Sequence, residues 1–461
     1  MTLNAFALAT LMGLFVGSSV SSAFASPVAA TASSGSNLME VQSVSKGEPL
    51  KVSLKNCQAA AAYSAKARGF SMLVIEDGKV IFEDYPNGHT ASEPHELASG
   101  TKSFTGLCAL AASEDGILSL DEKVSGTITE WQGDPKRENI TIHDLLSLTS
   151  GITSATGMAP PYAQALQAEI TAKPGEKFQY GPAPFQVFGE LMVRKLKANR
   201  ETKDKDANNA AEITMVDYLK RRVLNPADIH VGLWRKGRDG MPLMPQGSAF
   251  TAREWAKVGE LVLNGGMAGG KQIIQSESLK TLFVGTAANP MYGLSWWLNR
   301  PMDDKLRSSI RTLTMASDLR YGLPGVPNDL VMAAGAGKQR LYVIPSMKLI
   351  VVRQADVKSE LIPGADNTKF SDVAFWQLLT LGHEDSAGGS NKPRVPGLRR
   401  SGGMSGRLGG SAQGGGQGGV GQGGRFMRLL DRNHDGVVDQ QEKQVFRNLL
   451  QRKQKGSNSE Q

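Results

Sequence analysis

The chain has 461 residues, of which 40% are hydrophobic, 21% charged and 6% aromatic, and its formal net charge is +8. This length suits one large domain or two ordinary ones, and the composition argues against wholesale disorder and against a protein that spans a membrane several times. Residues 385–461 hold 13 Lys or Arg and 6 Asp or Glu, so +7 of the net charge lies in this tail. Because the body before it is nearly neutral, the charge does not indicate a nucleic-acid enzyme.

The N-terminal segment has the pattern of a secretory signal. An apolar run of about fifteen residues is followed by small residues, with Ala23-Phe24-Ala25 as a cleavage signal. We therefore predict a signal peptide over residues 1–25, export to the periplasm or the extracellular space, and no membrane span after signal removal. No Lys or Arg precedes the apolar run, and an ordinary N-terminal core helix is the alternative. Residues 26–50 are rich in Ser and Ala without periodicity, which predicts a linker.

The body, residues 51–384, alternates between strand-like and helical patterns. In chain order these patterns predict a helix over 56–67, two strands joined by a tight turn at Asp77-Gly78, helices over 99–113 and from Thr141, helices over 185–196 and 215–224, two strands over 340–354 and a closing helix over 370–381. The charged run over 197–212 indicates a solvated insertion. Strands near both ends with helices between them predict one sheet built from the two ends of the domain, which is an α+β fold.

The tail changes character twice. Residues 385–424 are rich in glycine and have too few apolar groups to fold, so we predict a flexible linker. Residues 425–461 regain helical periodicity, and residues 431–442 within them satisfy every constrained position of an EF-hand loop. The predicted Ca²⁺ ligands are the side chains of Asp431, Asn433, Asp435 and Asp439, the carbonyl oxygen of Val437 and the bidentate carboxylate of Glu442.

This EF-hand occurs singly in the sequence, and apolar residues flank its loop on both sides. A second copy in a homodimer, a docking partner or the body of the chain could cover those apolar faces. We expect the Ca²⁺ to be structural or to serve docking, because calcium outside the cell would keep even a weak site loaded. A solvated acidic turn is the alternative.

Ser99 and Lys102 are the first candidates for catalysis. On a helix, a spacing of three residues places hydroxyl and amine one turn apart on the same face. A lysine whose pKa is depressed could accept the serine proton and create a nucleophile. Ser43 and Lys46 have the same spacing in the predicted linker. Spacing and context therefore leave two interpretations of Ser99 open, a nucleophile and a structural helix cap.

The other reactive side chains give weaker patterns. Cys57 and Cys108 allow one disulfide at most, and two buried thiols are the alternative. The histidines have no metal-ligand spacing, so His89, His95 and His143 are expected at the surface or in caps. The chain has no Gly-x-Ser-x-Gly sequence, which argues against an α/β-hydrolase.

Several sequence blocks occur in order over residues 57–381. They read LASGTKSFTG, LSLDEKV, ITIHDLLSLTSGI, KFQYGPAPFQVFGEL, NPMYGLSWWL and GAGKQRLYVIPSMKLIVV. This series resembles the successive blocks of the serine β-lactamase and penicillin-binding-protein superfamily. Within it, the chain is most similar to the class C-like branch of esterases and nylon-oligomer hydrolases. The resemblance implies an antiparallel sheet flanked by helices, together with a mostly helical subdomain.

The resemblance also implies an acyl-enzyme mechanism that needs no cofactor. Ser99 would be the nucleophile and Lys102 its base or positioner. Tyr180 stands at the tyrosine of the family's Tyr-x-Asn block, where it would shuttle a proton to the leaving group. The backbone N–H groups of Ser99 and of a residue near Ala336 would form the oxyanion hole.

Two departures from the family pattern bear on the substrate. Pro182 stands where the tyrosine block ends in Asn, and Ala333 begins the strand segment where the family carries a cation in Lys-Thr-Gly or His-x-Gly. The missing cation would hold a substrate carboxylate, so efficient cleavage of β-lactams or wall peptides is not expected. Lys338 is either a displaced replacement or a solvated lysine at a strand end.

Together these patterns predict an exported serine hydrolase that cleaves an ester or amide of a small molecule or short peptide through an acyl-Ser99 intermediate. One alternative is a carboxypeptidase or β-lactamase at the cell wall. Another is a binding protein without catalysis on a degenerate hydrolase fold. Trp296 and Trp297, beside Tyr292, either line the substrate cleft or belong to the core.

Overall fold

The structure is a computed structural model that describes residues 52–153, 157–203, 214–300, 323, 325–356 and 370–383. Its α-helices are α1 (Leu54–Lys66), α2 (Ser103–Glu114), α3 (Ile142–Leu146), α4 (Tyr162–Leu166), α5 (Ala183–Lys203), α6 (Met215–Leu219), α7 (Ala252–Leu263), α8 (Ser276–Lys280) and α9 (Asp372–Leu381). Its strands are β1 (Gly69–Glu76), β2 (Lys79–Asp84), β3 (His95–Glu96), β4 (Leu233–Trp234), β5 (Ser248–Phe250), β6 (Met267–Ala268), β7 (Lys271–Gln272), β8 (Trp297–Leu298), β9 (Val331–Gly335), β10 (Gln339–Ile344) and β11 (Leu349–Ala355).

The main sheet joins the two ends of the body, as the sequence predicts. Its strand order is β2-β1-β11-β10-β9-β8, with antiparallel pairing throughout. Strand β1 pairs with β11 in a register that sets Val74 opposite Val351. All residues of β10 and β11 are buried, which explains their almost continuous apolar sequences. The α+β prediction is therefore confirmed for the described part of the chain.

The tight turn between β1 and β2 forms where it is predicted. Asp77 has φ 48° and Gly78 has φ 73°, so both central residues are in the left-handed region. A type I′ turn requires this geometry, and Asp-Gly is one of the pairs that adopt it at low cost. The turn at Pro345 is also observed, as a 3₁₀ turn over Pro345–Met347 that ends at Lys348 in the left-handed region.

Helices near both ends of the body and helix α7 pack against the main sheet. Helices α1 and α9 lie together, and the Asn56 side-chain amide donates to the Thr380 carbonyl oxygen at 3.1 Å. Helix α7 contacts β1, β10 and β11. At Gly259 of α7, an added Cβ would lie 3.0 Å from side-chain atoms of Ile350 and Leu341, so the absent side chain permits this close packing.

Helix α2 differs from its prediction in two ways. The predicted helix over 99–113 is a 3₁₀ turn over Ala98–Lys102 followed by α2 itself. Its residues 103–112 are all buried, not only the apolar stripe. The helix runs through the protein interior, where Gly106 approaches the Leu294 carbonyl so closely that a Cβ would lie 2.6 Å from that oxygen. A helix surrounded on all sides has no solvent face for a periodic pattern to mark.

The remaining predicted helices are confirmed with changed bounds. Thr141 caps α3 in a capping box with Asp144, as their spacing predicts. Helix α5 is longer than predicted and reaches into the charged run, whose residues 204–212 lie outside the described part. The segment 215–224 is α6 followed by a π-helical turn over Lys220–Leu224.

Cys57 and Cys108 are both free and fully buried, which confirms the alternative of two separate thiols. Burial raises the pKa of Cys57 to about 11 and raises that of Cys108 further. The thiols are therefore uncharged at neutral pH and behave as small core side chains. The predicted signal peptide, both linkers and the EF-hand module lie outside the described residues.

Two buried arginines bind the last strands to the rest of the domain. Arg340 on β10 makes a bidentate ion pair with Asp372 of α9, with Nε–Oδ1 at 2.7 Å and Nη2–Oδ2 at 3.0 Å. The Tyr342 hydroxyl donates to the same carboxylate. Arg353 on β11 donates to the Ser64 hydroxyl at 2.9 Å and to the Ala67 carbonyl at 2.7 Å. Neither guanidinium is more than 1% exposed, so their partners must satisfy them fully.

The Asp372 ion pair predicts a large effect on stability. Asp372→Asn leaves the Arg340 charge buried without its counter-ion and should lower the free energy of unfolding by about 3–5 kcal/mol in urea denaturation. Asp228→Asn removes a carboxylate that pairs with Lys257 at the surface, and it should leave the unfolding midpoint nearly unchanged. Equal small effects from both substitutions would contradict the structural role of Asp372.

The same pair predicts an acid limit to stability. Burial alone would raise the pKa of Asp372. The charge and hydrogen bonds of Arg340, with smaller contributions from Lys338 and Tyr342, together outweigh burial and hold this pKa well below the ordinary value. A depressed folded-state pKa contributes stability above the unfolded-state pKa of about 4, and this contribution is lost as pH falls below it. The difference in unfolding free energy between wild type and Asp372→Asn should therefore shrink from pH 5 downwards, measured by urea denaturation at each pH.

Candidate active site

Ser99 lies in a constrained turn directly before α2. The preceding residue, Ala98, has φ 47°, a left-handed conformation that costs energy for a residue with a Cβ. The 3₁₀ turn over Ala98–Lys102 then leads into the helix. Ser99 is only partly buried, whereas Gly100 and Lys102, which follow it in the turn, are buried. The turn therefore leaves Ser99 partly accessible to solvent, although the residues that follow it are buried.

The amine of Lys102 lies against that hydroxyl. Lys102 Nζ is 2.9 Å from Ser99 Oγ and 3.1 Å from the carbonyl oxygen of Pro245. It lies 5.0 Å from the ring centre of Tyr180 and 5.4 Å from that of Phe185. The side chain is 3% exposed, and among the described residues no carboxylate pairs with it.

Burial lowers the pKa of Lys102 to about 7. Desolvation disfavours the charged ammonium, and two aromatic faces and one carbonyl replace only part of the lost hydration. A large fraction of the lysine is then a neutral amine at neutral pH. A neutral amine has a lone pair that can accept the Ser99 proton, so the contact meets the requirement for an activated serine.

Tyr180 is the third predicted residue that the structure brings to this place. Its ring centre lies 5.0 Å from Lys102 Nζ, and the residue is 9% exposed. Burial raises the pKa of Tyr180 to about 12, although the nearby Ser99 side chain and the charge of Arg340 act in the opposite direction. The phenol is therefore protonated at neutral pH and can donate a proton.

The end of β9 is pressed against the Ser99 turn. A Cβ added to Gly335 would lie 2.1 Å from the carbonyl oxygen of Leu97 and 3.1 Å from the backbone nitrogen of Ser99. Only glycine permits this approach. Ala336 follows immediately and begins a 3₁₀ turn in which Gly337 has φ 73°. The structure thus brings the predicted Ala336 segment next to the backbone of the predicted nucleophile.

The two buried arginines, Arg340 and Arg353, donate hydrogen bonds to backbone carbonyls at this turn. Arg340 Nη1 is 3.3 Å from the Gly335 carbonyl oxygen, and Arg353 Nη1 is 3.2 Å from the Gly337 carbonyl oxygen. A carbonyl and the next N–H belong to one rigid peptide plane and point in opposite directions. The guanidinium that fixes the Gly335 carbonyl therefore also fixes the direction of the Ala336 N–H.

The sequence patterns did not predict these arginines, because their partners are distant in the chain. The same holds for Gln186, which is fully buried on α5. Its side chain donates to the Pro160 carbonyl oxygen at 2.7 Å and accepts from the Met244 N–H at 3.0 Å. The only local signal was a polar residue in an apolar helix, which is rarely buried without partners.

Pro182 and Ala333, the two residues that depart from the family pattern, are both buried in the structure. Pro182 is buried directly before α5, and Ala333 is 1% exposed on β9. Lys338 does not replace the missing cation, because its Nζ lies 3.5 Å from Asp372 Oδ2. It is also not the solvated lysine of the other interpretation, since its side chain is 17% exposed.

The aromatic cluster beside the site belongs to the core. Tyr292, Trp296 and Trp297 are at most 5% exposed, which decides between the two interpretations. The Trp297 ring nevertheless lies 5.8 Å from that of Tyr180, with Phe178 completing the cluster. The cluster therefore supports the tyrosine from its buried side.

The described residues contain no group of three or more His, Cys, Asp or Glu side chains that could hold a metal ion. His95 is partly buried rather than at the surface, and its Nε2 lies 2.7 Å from the Ala355 carbonyl oxygen. His89 lies 3.2 Å from Glu93, and His143 lies within the capped helix α3. In the same part of the chain, no helix is long and apolar enough to cross a membrane.

Comparison with known proteins agrees with this geometry. A family model described as Beta-lactamase matches residues 54–355. Protein flp of Staphylococcus aureus (strain COL) is 31% identical over 156 residues, covering 29% of this chain and 31% of that protein. The chain thus spans about a third of the length of these curated relatives.

Solved structures share the fold. A putative beta-lactamase from Bacteroides dorei DSM 17855 superposes with a TM-score of 0.52 at 15% identity, covering 70% of this chain and 96% of that one. A putative 6-aminohexanoate-dimer hydrolase from Bacillus anthracis gives 0.51 at 17% identity, covering 70% and 80%. The family match covers well over half of the sequence, including Ser99, Lys102 and Tyr180. The chain therefore belongs to the beta-lactamase family and has the β-lactamase-like α+β fold of serine hydrolases.

Proposed function

We propose that this protein is an exported serine hydrolase that cleaves an ester or amide through an acyl-Ser99 intermediate. The observation that carries the proposal is the contact of 2.9 Å between Lys102 Nζ and Ser99 Oγ, at an amine whose only other polar contact among the described residues is one carbonyl. A structural helix cap would not need a buried lysine without a counter-ion, which is costly to maintain.

The reaction begins with proton transfer from Ser99 to the neutral Lys102 amine. Ser99 Oγ forms a bond to the substrate carbonyl carbon, and the carbonyl oxygen becomes an oxyanion. The N–H groups of Ser99 and Ala336 stabilise that oxyanion, with the second N–H held in direction by Arg340. No cofactor takes part in these steps.

The leaving group then departs with a proton. Tyr180 donates through its hydroxyl and is reprotonated from the Lys102 ammonium, so the proton taken from Ser99 ends on the leaving alcohol or amine. The bond between the carbonyl carbon and the leaving atom breaks, and the acyl group stays on Ser99. Water then gives a proton to the same pair, and its oxygen forms a bond to the acyl carbon. The bond from that carbon to Ser99 Oγ breaks, Oγ takes the proton back, and the carboxylic acid leaves the free enzyme.

Esters and simple amides fit the site better than β-lactams or wall peptides. Ala333 and the pairing of Lys338 with Asp372 leave the β9 side without a cation for a substrate carboxylate. One structure with the same fold is named a putative 6-aminohexanoate-dimer hydrolase, and hydrolysis of such a dimer breaks an amide. We also propose that the protein is related to the class C-like branch of esterases and nylon-oligomer hydrolases. A cell-wall carboxypeptidase or β-lactamase is the second candidate, favoured only by the shared fold.

We also propose that the chain carries a calcium module at its C-terminus. The predicted ligands at residues 431–442 are carboxylate, amide and carbonyl oxygens, the donor set that Ca²⁺ prefers. When bound, the ion would order the loop and its flanking helices for docking or for pairing with a second copy. The export proposal agrees with this module, because extracellular calcium is abundant enough to fill a weak site.

Kinetics of Ser99 and Lys102 variants test the mechanism. With 4-nitrophenyl butyrate, Ser99→Ala should lower kcat by at least 10³-fold, and Lys102→Met by about 10²–10⁴-fold. Because the two side chains act as one unit, the double variant should be no slower than Ser99→Ala alone. Ser92→Ala, at an exposed serine, is the matched control and should keep the wild-type rate. Additive losses in the double variant would contradict the proposed unit.

The pH dependence follows from the pKa of Lys102. The amine is a base only when it is unprotonated, so kcat/KM should rise with pH through about 7 and then level off. Tyr180 stays protonated over this range because its pKa is about 12. Tyr180→Phe should therefore keep the rise near pH 7 while lowering kcat by about 10²-fold or more. A wild-type profile that is flat from pH 5 to 9 would rule out Lys102 as the base.

Calcium removal and truncation test whether the calcium module affects catalysis by the body of the chain. Titration calorimetry should show one Ca²⁺ site in the full chain, lost in Glu442→Ala and in a chain ending at residue 384. All three proteins should hydrolyse a soluble ester at the same rate within about twofold, with or without EGTA, because the predicted linker is flexible. A large fall in rate on truncation or chelation would show that the module acts on catalysis.

A further inference from the structure

A cavity of about 570 Å³ lies between two segments of the described structure. One wall is formed by the segment around Pro160 and Pro161, which leads into α4, and the other by the loop that contains Lys236 and Arg238. Most of the lining is apolar, including Ala183 and Leu243. The cavity is therefore a mainly apolar space with two cationic side chains in its wall.

Ser99, Lys102 and Tyr180 do not line the cavity, but two of its lining residues are close in the chain to groups that contact Lys102. Leu243 lies two residues before Pro245, whose carbonyl oxygen contacts Lys102 Nζ, and Ala183 lies three residues after Tyr180. Gln186 binds the two walls together through the Pro160 carbonyl and the Met244 N–H. The walls are therefore joined to each other, and they lie two residues in the chain from Pro245 and Phe185, which both contact Lys102.

The charges of Lys236 and Arg238 are not used within the described structure. Both side chains are exposed, and neither pairs with a carboxylate among the described residues. The adjacent acid, Asp239, uses its two oxygens to accept the N–H groups of Tyr162 at 2.8 Å and Met241 at 3.1 Å. No acidic side chain is among the residues that line the cavity. Asp239 keeps its negative charge beside them, so the loop over 236–239 has a formal net charge of 2 − 1 = +1.

We infer that this cavity is a subsite for an anionic group carried by the substrate on an apolar segment, with Lys236 and Arg238 as its binding cations. Two neighbouring cations on an apolar wall match a carboxylate at the end of a short hydrocarbon chain. Lys236 and Arg238 would bind the substrate anion in this cavity, whereas Ala333 on β9 has no charge with which to bind it. This inference rests on the proposed function of Ser99 and adds the substrate class.

Paired substrates test the subsite in the full-length protein. The acyl-side pair is mono-4-nitrophenyl glutarate and its methyl-capped diester, and the leaving-side pair is 4-butyryloxybenzoate and its methyl ester. For at least one pair, Lys236→Ala/Arg238→Ala should lower kcat/KM for the anionic member by about 10-fold, mainly through KM, with the neutral member unchanged. Lys236→Glu/Arg238→Glu should lower it further, and salt should reduce the wild-type preference for the anion.

A charge-matched control removes two exposed lysines that do not line the cavity, Lys79→Ala/Lys271→Ala, and should leave all four rates unchanged. The pair that responds assigns the anion to the acyl or to the leaving side. The subsite is wrong if no pair distinguishes wild type from the cavity variants while hydrolysis of the neutral esters still depends on Ser99. Neutral-ester hydrolysis that survives Ser99→Ala would instead overturn the proposed function.

Discussion

The burial of one amine is the constraint on which the site depends. Lys102 is 3% exposed and lies between Tyr180 and Phe185 without a carboxylate among the described residues. An aspartate or glutamate in contact would restore the charged form and remove the base. The aromatic cluster beside Tyr180 is buried, and its packing contributes to the burial that lowers the pKa of Lys102.

The sheet contributes the second half of the site. Because β1 and β11 bring both ends of the body together, the late strand β9 reaches the early Ser99 turn, where only Gly335 fits. The strain at Ala98 and the close approach at Gly335 need a rigid support. Arg340 and Arg353 provide it, because they attach the turn after β9 to α9 and to the segment after α1.

Local patterns predicted four strands of the main sheet and most of the longer helices, but not α4, α7, α8 or β3–β9, and they were insufficient for the site. The Asp77-Gly78 turn and the Thr141 cap depend on a few neighbouring residues, so their sequences predict them directly. Ser99 and Lys102 have the same spacing as Ser43 and Lys46. The strand-rich and helical context of Ser99 left its role open, and the block order of the family decided it. The supporting arginines could not be predicted, since Arg353 binds Ser64 across 289 positions of sequence.

The central claim is that Ser99 is an activated nucleophile, and intact-protein mass spectrometry with a fluorophosphonate tests it without knowledge of the substrate. The account predicts one adduct on the wild-type chain, formed faster as pH rises through about 7, and none on Ser99→Ala. A parallel incubation with a penicillin should give little or no adduct, in agreement with Ala333 on β9. No fluorophosphonate adduct, or one that persists in Ser99→Ala, would contradict the account.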